Sequence, residues 1–195
     1  MNISPPQPGF QEHQRADAAA LFWQAFGGKL GRLLGPEKKA LAFLAPILDP
    51  THCLSVSNTN GQLLGIAGFK TADGALVGGG TADLRKVYGI AGLLWRAPLL
   101  SMLEREVEPG LLLMDGIAVR PDARGLGIGA TLLDAVLEEA KHRKLNAVRL
   151  DVIDTNPRAR ALYERRGFVA KDTQDVFPFR WLFGFSTATR MERLV

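Results

Sequence analysis

The chain has 195 residues, of which 47% are hydrophobic and 23% charged, so it can bury a sizeable core and does not have the composition of a disordered protein. Its net charge of +4 suits an anionic ligand, but the basic residues are scattered among 20 acidic ones and no basic-aromatic motif accompanies them, which excludes nucleic acid as an expected partner. A single cysteine, Cys53, excludes an intramolecular disulfide and a metal site built from several cysteines.

Neither the N-terminal residues nor the longest apolar stretch has the pattern of a secretory signal or a membrane span. Residues 1–8 contain no basic segment followed by an apolar one, as a secretory signal requires. The apolar stretch 87–103 is interrupted by Arg96 and Pro98 and is shorter than the roughly 20 apolar residues of a bilayer span. We therefore expect a cytoplasmic protein with no membrane partner, folded as one domain over residues 1–195.

The first third of the chain predicts two helices and a hairpin. Apolar positions at helical spacing indicate a helix over residues 10–26, and a second helix is predicted over 36–48 with Pro36 at its first position. Residues 51–57 and 62–71 are predicted to be antiparallel strands, because the Asn-Gly pair between them is a strong hairpin signal.

The middle of the chain predicts alternating helices and strands. Residues 81–105 are predicted to be helical with a kink before Pro98. A strand over 111–119 follows, then a glycine-dense turn, a helix with one apolar face over 128–140, and a strand over 147–153. This order is typical of a mixed α/β domain.

One more helix and two strands are predicted at the C-terminal end. Asn156 is expected to cap a helix that has Pro157 at its first position and ends with Gly167 as its C-cap. Residues 168–171 and 187–195 are expected to be the last strands.

The glycine-dense turn has the features of an anion-binding site. Gly125, Gly127 and Gly129 let the backbone approach a ligand, and the first turn of the helix that follows presents unpaired amides and the positive end of its dipole. Arg120 and Arg124 add charge beside those amides, so a pyrophosphate is the expected guest.

A dinucleotide fingerprint is an alternative interpretation of this turn. Gly125-x-Gly127-x-x-Ala130 fits that pattern, and Asp151 lies about 20 residues later at the end of a strand. However, residues 120–124 separate the first glycine from its strand. Only 65 residues follow Ala130, which are too few for the rest of a doubly wound sheet.

A combination of short motifs carries a family resemblance. Ile117-Ala-Val119 precedes Arg124-x-x-Gly127-x-Gly129, and after one helix and one strand come Asn156, Ala159, Tyr163 and Gly167-Phe168. Over about residues 111–171 the chain resembles the GNAT superfamily of acyl-CoA-dependent N-acyltransferases, and the preceding order of two helices and a hairpin agrees with it.

The resemblance implies a particular fold and donor site. It implies a single α/β (α+β) domain with a mixed, mostly antiparallel twisted sheet, flanking helices, and central strands 111–119 and 147–153 that splay apart. The helical segment 81–105 is then an insertion between the third and fourth strands, where the family more often has a short connection. The donor would be acetyl-CoA with no metal ion, held at Ile117, Ala118, Val119, Arg124, Gly125, Leu126, Gly127, Ile128, Gly129, Ala130, Asn156 and Arg160.

The resemblance also implies a direct attack of an amine on the thioester. Tyr163 matches the family's general acid, with ring packing on the sheet as its alternative role. Asp115 is the candidate base or substrate anchor because it shares strand parity with Ile117 and Val119 unless a bulge intervenes; pairing with an arginine is the alternative. The remaining candidate bases are Glu104, Glu106 and Glu108.

The acceptor and the protein partners stay open at this stage. The expected function is N-acetylation of a small amine or of a protein amino group, and the alternative is a non-catalytic acyl-CoA-binding protein. The aromatic run 177–185 is expected to pack in the core or to form a pocket wall or dimer contact, and the apolar side chains of segment 81–105 to cover the acceptor side or join a second subunit. A homodimer is therefore one of the expectations.

Overall fold

The computed structural model describes residues 3–102, 104–177 and 180–195. Its strands are β1 (Gln7–Pro8), β2 (Cys53–Ser57), β3 (Leu63–Thr71), β4 (Gly74–Ala75), β5 (Leu111–Val119), β6 (Ala147–Ile153), β7 (Val169–Asp175) and β8 (Thr187–Leu194). Its helices are α1 (Arg15–Leu34), α2 (Glu37–Ile47), α3 (Thr81–Ser101), α4 (Ile128–His142), α5 (Pro157–Arg165) and α6 (Arg180–Phe183).

The strands form one mixed sheet in the order β1-β2-β3-β5-β6-β8-β7, with the short β4 paired to β3. Within the described residues, β5 and β6 are parallel and the other neighbouring pairs are antiparallel. The predicted mixed, mostly antiparallel sheet is therefore confirmed. The last strand, β8, inserts between β6 and β7.

The two central strands separate partway along their length. Residues 111–114 of β5 pair with residues 147–150 of β6, and the pairing ends there. Beyond Met114, β5 continues to Val119 hydrogen-bonded only to β3, and β6 continues to Ile153 hydrogen-bonded only to β8. The facing edges of β5 and β6 thus border a wedge-shaped gap in the middle of the sheet. This agrees with the prediction that the two strands splay apart.

Two hydrophobic cores lie on opposite faces of the sheet. One face is covered by α1, α2 and α3, and the other by α4 and α5. Since side chains alternate along a strand, Val148, Leu150 and Val152 of β6 pack under α4 while Ile153 packs on the α1 side. The helix α4 contributes a continuous buried stripe of Ile128, Leu132, Leu133, Val136, Leu137 and Ala140.

The first helix starts later and ends later than predicted. The sequence predicts a helix over 10–26, whereas α1 begins at Arg15 and runs to Leu34. Beyond the predicted end, α1 contains glycines at positions 27, 28 and 31, each of which costs about 1 kcal/mol in a helix interior. Burial of Leu33 and Leu34 in the core, at 0% and 2% exposure, offsets that cost.

The inserted helix α3 bends at a different place from the one predicted. Its backbone leaves helical geometry at Gly89, with φ 71° and ψ 179°, and not before Pro98. Only glycine adopts this conformation without a steric penalty from Cβ. Two side chains fasten the helix to the end of α1: the Tyr88 hydroxyl donates to the Leu34 carbonyl at 2.5 Å, and Arg96 Nε donates to the Leu33 carbonyl at 2.6 Å.

The outer face of α3 is apolar and exposed. Ile90, Leu94 and Trp95 are 66%, 71% and 43% exposed, while Tyr88 is buried in the α1-side core. Leu103, at the end of the predicted segment 81–105, lies outside the described residues. In the part of the chain that is described, every helix is too short or too polar to cross a bilayer.

The aromatic run 177–185 divides between core and surface. Phe185 is buried on the α1 side, whereas Phe177 and Trp181 are 75% and 69% exposed. The guanidinium of Arg32 lies 5.9 Å from the centre of the Trp181 ring. Pro178 and Phe179 lie outside the described residues.

Short-range signals at α5 are confirmed. The Asn156 side chain accepts from the Ala159 amide at 3.2 Å, and Pro157 is the first helical residue. At the other end Gly167, with φ 78°, lies one residue beyond the C-cap position. The Phe168 amide reaches back to the Tyr163 carbonyl at 3.0 Å, which closes a Schellman turn. The strand β7 then extends to Asp175, four residues beyond the predicted end.

Removal of the α5 cap tests the contribution of Asn156 to stability. We expect Asn156→Ala to lower the free energy of unfolding by about 1 kcal/mol, because an amide of the first turn loses its acceptor. Asn156→Asp should retain most of the stability, and Thr155→Ala, an exposed neighbour, should have little effect. Urea unfolding measures all three, and equal stability of Asn156→Ala and the wild type would contradict the capping role.

Candidate active site

The glycine-dense turn occupies the space between the end of β5 and the start of α4. Gly125 and Gly127 have φ values of 84° and 81°, in the left-handed region that favours glycine. A Cβ built on either residue would have no atom within 4 Å. These two glycines are therefore required for the turn's conformation, and the space next to them is open to a ligand.

The turn presents backbone donors without acceptors. The Gly127 carbonyl accepts from the Ala130 and Thr131 amides at 2.9 and 3.0 Å. Among the described residues, no carbonyl or side chain accepts from the amides of residues 125–129. The side chain of Ile128 is buried under the helix and that of Leu126 is 51% exposed, so Ile128 offers only its backbone to a ligand. Five free amides at a helix N-terminus are suited to binding an anion.

The predicted arginines differ in how free their charges are. Arg124 is exposed, and its Nε donates to the Val119 carbonyl at 3.3 Å. Arg120 is paired with Asp122, through contacts of 3.0 and 2.7 Å. Arg160 is paired with Glu164 at 2.9 Å on the surface of α5. Arg124 is thus the predicted arginine whose charge is available beside the glycine turn.

Alternation of hydrogen bonds along β5 decides which residues face the gap. The Arg120 amide donates to the Leu64 carbonyl at 2.9 Å, so the pair two residues back, Ala118 and Ile66, also exchanges hydrogen bonds across the ladder. Ile117 and Val119 occupy the intervening positions and direct their amides and carbonyls away from β3, into the gap. Of the three predicted edge residues, Ile117 therefore offers a free amide and carbonyl and Val119 a free amide, because the Val119 carbonyl accepts from Arg124. Ala118 offers neither group.

A β-bulge reverses the predicted orientation of Asp115. Gly68 of β3 lies opposite Gly116 and the next residue, Phe69, lies opposite Met114, so Asp115 is the extra residue of the bulge. The shared parity of Asp115 with Ile117 and Val119 is therefore wrong. Asp115 lines an apolar recess on the α1 side with Phe22, Phe26, Ile66, Leu76 and Ala118.

Asp115 lies at the point where the central strands part. Arg105, in the loop before β5, donates from Nη2 to Asp115 Oδ1 at 3.3 Å and from Nη1 to Asp151 Oδ2 at 3.0 Å. Burial raises the pKa of Asp115, and the positive charges of Arg105 and Lys70 oppose that rise. The alternative role of Asp115, pairing with an arginine, is observed. The other candidate bases are exposed: Glu104, Glu106 and Glu108.

Tyr163 lies on the opposite face of the sheet from Asp115. It is 8% exposed within the α4-side core, with its ring centre 6.0 Å from that of Phe168. Burial raises the pKa of Tyr163 to about 12. Within the described residues its hydroxyl has no hydrogen-bond partner. The phenol is thus protonated at neutral pH, and it packs against the sheet as its alternative role requires.

Sequence reasoning missed part of this arrangement. Arg105 carries no sequence signal, because only the folded loop brings it between two strands. Asp151 is the first residue of β6 beyond the paired segment, and its place at a strand end was noted only in connection with a dinucleotide site. The recess beside Phe22 and Phe26 depends on the packing of α1. In the described part of the chain, no group of three or more His, Cys, Asp or Glu residues is arranged to hold a metal ion.

Comparison with known proteins agrees with the fold. The sequence profile of the Acetyltransferase (GNAT) family matches residues 16–168, most of the chain, so the protein belongs to the GNAT acetyltransferase family. A crystal structure of an acetyltransferase superimposes with a TM-score of 0.64 at 25% identity, over 98% of this chain and 100% of that one. An N-acetyltransferase of Staphylococcus aureus Mu50 shares the fold, with a TM-score of 0.67 at 15% identity over 97% of this chain and 100% of that one.

The similarity to curated sequences is local. Mycothiol acetyltransferase of Paenarthrobacter aurescens is 39% identical over 61 residues, which are 31% of this chain and 19% of that protein. The match therefore spans about a fifth of that relative's length.

Titration of Tyr163 tests its environment. The unfolded chain loses the phenolic proton near pH 10 and the folded chain near 12, so the free energy of unfolding should fall by about 1.4 kcal/mol per pH unit between these values. Below pH 10 both states are protonated and this contribution is constant. In Tyr163→Phe this decrease should be absent, because the variant has no phenolic proton to lose. Urea unfolding at pH 9, 10 and 11 measures it, and equal slopes would contradict the burial effect.

Proposed function

We propose that the protein is an acetyl-CoA-dependent N-acetyltransferase that acts on a primary amine of a small molecule or of a protein. The observation that carries this proposal is the gap between β5 and β6, which opens directly beside the acceptor-free amides at the start of α4. A gap bounded by strand edges accepts an extended, amide-containing arm, and the amides accept the phosphates attached to it.

The residues present fit the chemistry of coenzyme A. The amides of residues 125–129 and the side chain of Arg124 would hold the pyrophosphate by charge-assisted hydrogen bonds. The backbone groups of Ile117 and the amide of Val119 would pair with the amides of the pantetheine arm as an added strand does. Ala130, whose amide is bonded to Gly127, would contribute through the helix dipole alone. Asn156 would act as the α5 cap.

Acetyl-CoA supplies an acetyl group activated as a thioester. The attacking amine must be neutral, and a carboxylate near the gap can accept the proton that its nitrogen loses as the new bond forms. Asp115 is the residue suited to this role, because its side chain faces the gap region and its Oδ2 atom has no partner among the described residues. As the carbon–nitrogen bond forms, the carbon–sulfur bond breaks and the amine proton passes to Asp115.

Tyr163 would donate a hydrogen bond to the sulfur atom of the leaving group. Its pKa of about 12 is above that of a thiol, so the phenol stays protonated and stabilises the developing thiolate as a hydrogen-bond donor. Asp115 and Tyr163 lie on opposite faces of the sheet. The amine would therefore approach from the α1 side and the thiol would leave toward α4 and α5.

Charge placed in the glycine turn tests the donor site. We expect Gly127→Glu to weaken acetyl-CoA binding at least tenfold relative to Gly127→Ala, measured by isothermal titration calorimetry. Both variants impose the same positive-φ strain of about 1–2 kcal/mol, and neither side chain meets an atom within 4 Å at Cβ, so their difference isolates the repulsion of the phosphates. Equal affinities would place the phosphates elsewhere.

Replacement of Asp115 and Tyr163 tests their proposed roles in catalysis. We expect Asp115→Asn and Tyr163→Phe each to lower kcat by about 10²–10⁴-fold, with little change in acetyl-CoA affinity. Release of free thiol in the presence of a panel of amines measures the rate, and Glu138→Gln, on the exposed side of α4, is the control carboxylate. If acetyl-CoA binds but no amine accelerates thiol release, the protein is the non-catalytic acyl-CoA-binding alternative.

A further inference from the structure

Arg105 connects the two central strands at the point where they separate. Met114 and Leu150 are the last paired residues of β5 and β6, and Asp115 and Asp151 are the next residue of each strand. The guanidinium of Arg105 contacts one oxygen of each carboxylate, at 3.3 and 3.0 Å. The three side chains are 16–29% exposed, so the ion pairs are largely shielded from solvent.

The two carboxylates require a cation between them. Two carboxylates in one partly shielded site repel each other, and a cation bonded to both offsets that repulsion. Asp151 has a second, weaker contact: its Oδ1 is buried without a hydrogen-bond partner and forms an ion pair with Arg149 Nε at 3.5 Å. Arg105 is the group that bonds to both carboxylates.

The contact uses only part of Asp115. Arg105 bonds to Oδ1, and within the described residues Oδ2 has no hydrogen-bond partner and is not among the fully buried atoms. Because a carboxylate group is planar, the hydrogen bond from Arg105 to Oδ1 also limits the direction in which Oδ2 points. The Arg105 loop is itself tied to the sheet, because Lys70 Nζ donates to the Arg105 carbonyl at 3.2 Å.

We propose that Arg105 is a positioning residue for the acetyl transfer: it links Asp115 to Asp151 across the opening of the gap, keeps Asp115 ionised and directs its free oxygen to the acceptor amine. This inference rests on the proposed function. It concerns a residue that acts through Asp115 and need not touch either substrate.

Other positively charged groups also lie near Asp115 and Asp151, and the replacement of Arg105 does not remove them. Lys70 of β3 and His52, from the turn before β2, lower the pKa of Asp115 in addition to Arg105. From β6, Arg149 faces Asp151 and is bonded to Glu108 at 3.1 Å. Arg190 of β8, opposite Asp151 in the ladder, is also bonded to Glu108. Arg105 differs from these cations in bonding directly to Asp115.

The experiment compares Arg105→Gln, Arg105→Lys and the wild type by two measurements. The first is the titration of Asp115, followed by NMR of carboxyl-¹³C-labelled aspartate and assigned with Asp115→Asn. The second is kcat/KM for the amine against pH. Activity requires ionised Asp115 and falls as pH drops through its pKa. In Arg105→Gln both midpoints should therefore move to higher pH together. At pH values below the wild-type midpoint, kcat/KM of the variant should be about tenfold lower than that of the wild type for each pH unit by which the midpoint rises.

Controls separate this role from a general structural effect. Arg105→Lys should restore the midpoints in part, and Arg85→Gln, an exposed arginine of α3, should leave both curves unchanged. An unchanged Asp115 midpoint in Arg105→Gln, or a loss of kcat/KM that is equal at every pH, would overturn the proposal. If the wild type transfers acetyl to no amine, the proposed function fails, whereas the NMR titration still decides whether Arg105 keeps Asp115 ionised.

Discussion

The site depends on the interruption of hydrogen bonding between β5 and β6 after Met114 and Leu150. Backbone groups beyond that point have lost their partner strand but still lie in the middle of a sheet, held in place by β3 on one side and β8 on the other. Unpaired strand edges are costly when buried, so such a gap persists only where something else pairs with them. The proposed donor arm is that partner, and the glycine turn lies at the end of the same strand.

Because of a single extra residue in β5, Asp115 and Tyr163 lie on opposite faces of the sheet. Without the bulge, Asp115 would share a face of the sheet with Ile117 and Val119. The bulge instead directs those two residues to the α4 side, where Tyr163 lies. With it, Asp115 faces α1 and meets Arg105 and Asp151 at the opening of the gap. Proposed proton acceptor and hydrogen-bond donor thereby lie on opposite sides of the slot, which suits a reaction in which one group arrives as another leaves.

Local signals predicted most of the secondary structure, and where they failed, tertiary packing had overridden them. The hairpin at Asn60-Gly61, the cap at Asn156 and the apolar stripe of α4 were confirmed, because each depends on residues close in sequence. The length of α1 was wrong because buried leucines outweighed its glycines. The bend of α3 was wrong because a positive φ at Gly89 replaced the expected kink before Pro98.

By itself the sequence determined the family resemblance, the anion-binding turn and the candidacy of Tyr163 and Asp115. The turn follows from residue types at short spacings, which local backbone geometry converts into free amides at the start of a helix. The candidacy of Tyr163 comes from the family resemblance, and that of Asp115 from its parity along the strand. Tertiary structure alone decided which β5 residues face the gap, on which side Asp115 lies, and that Arg105 joins it to Asp151. Those outcomes depend on strand register and on contacts between residues 10 to 46 positions apart in the sequence. A shift of one residue in the register moves every following side chain of the strand to the other face of the sheet.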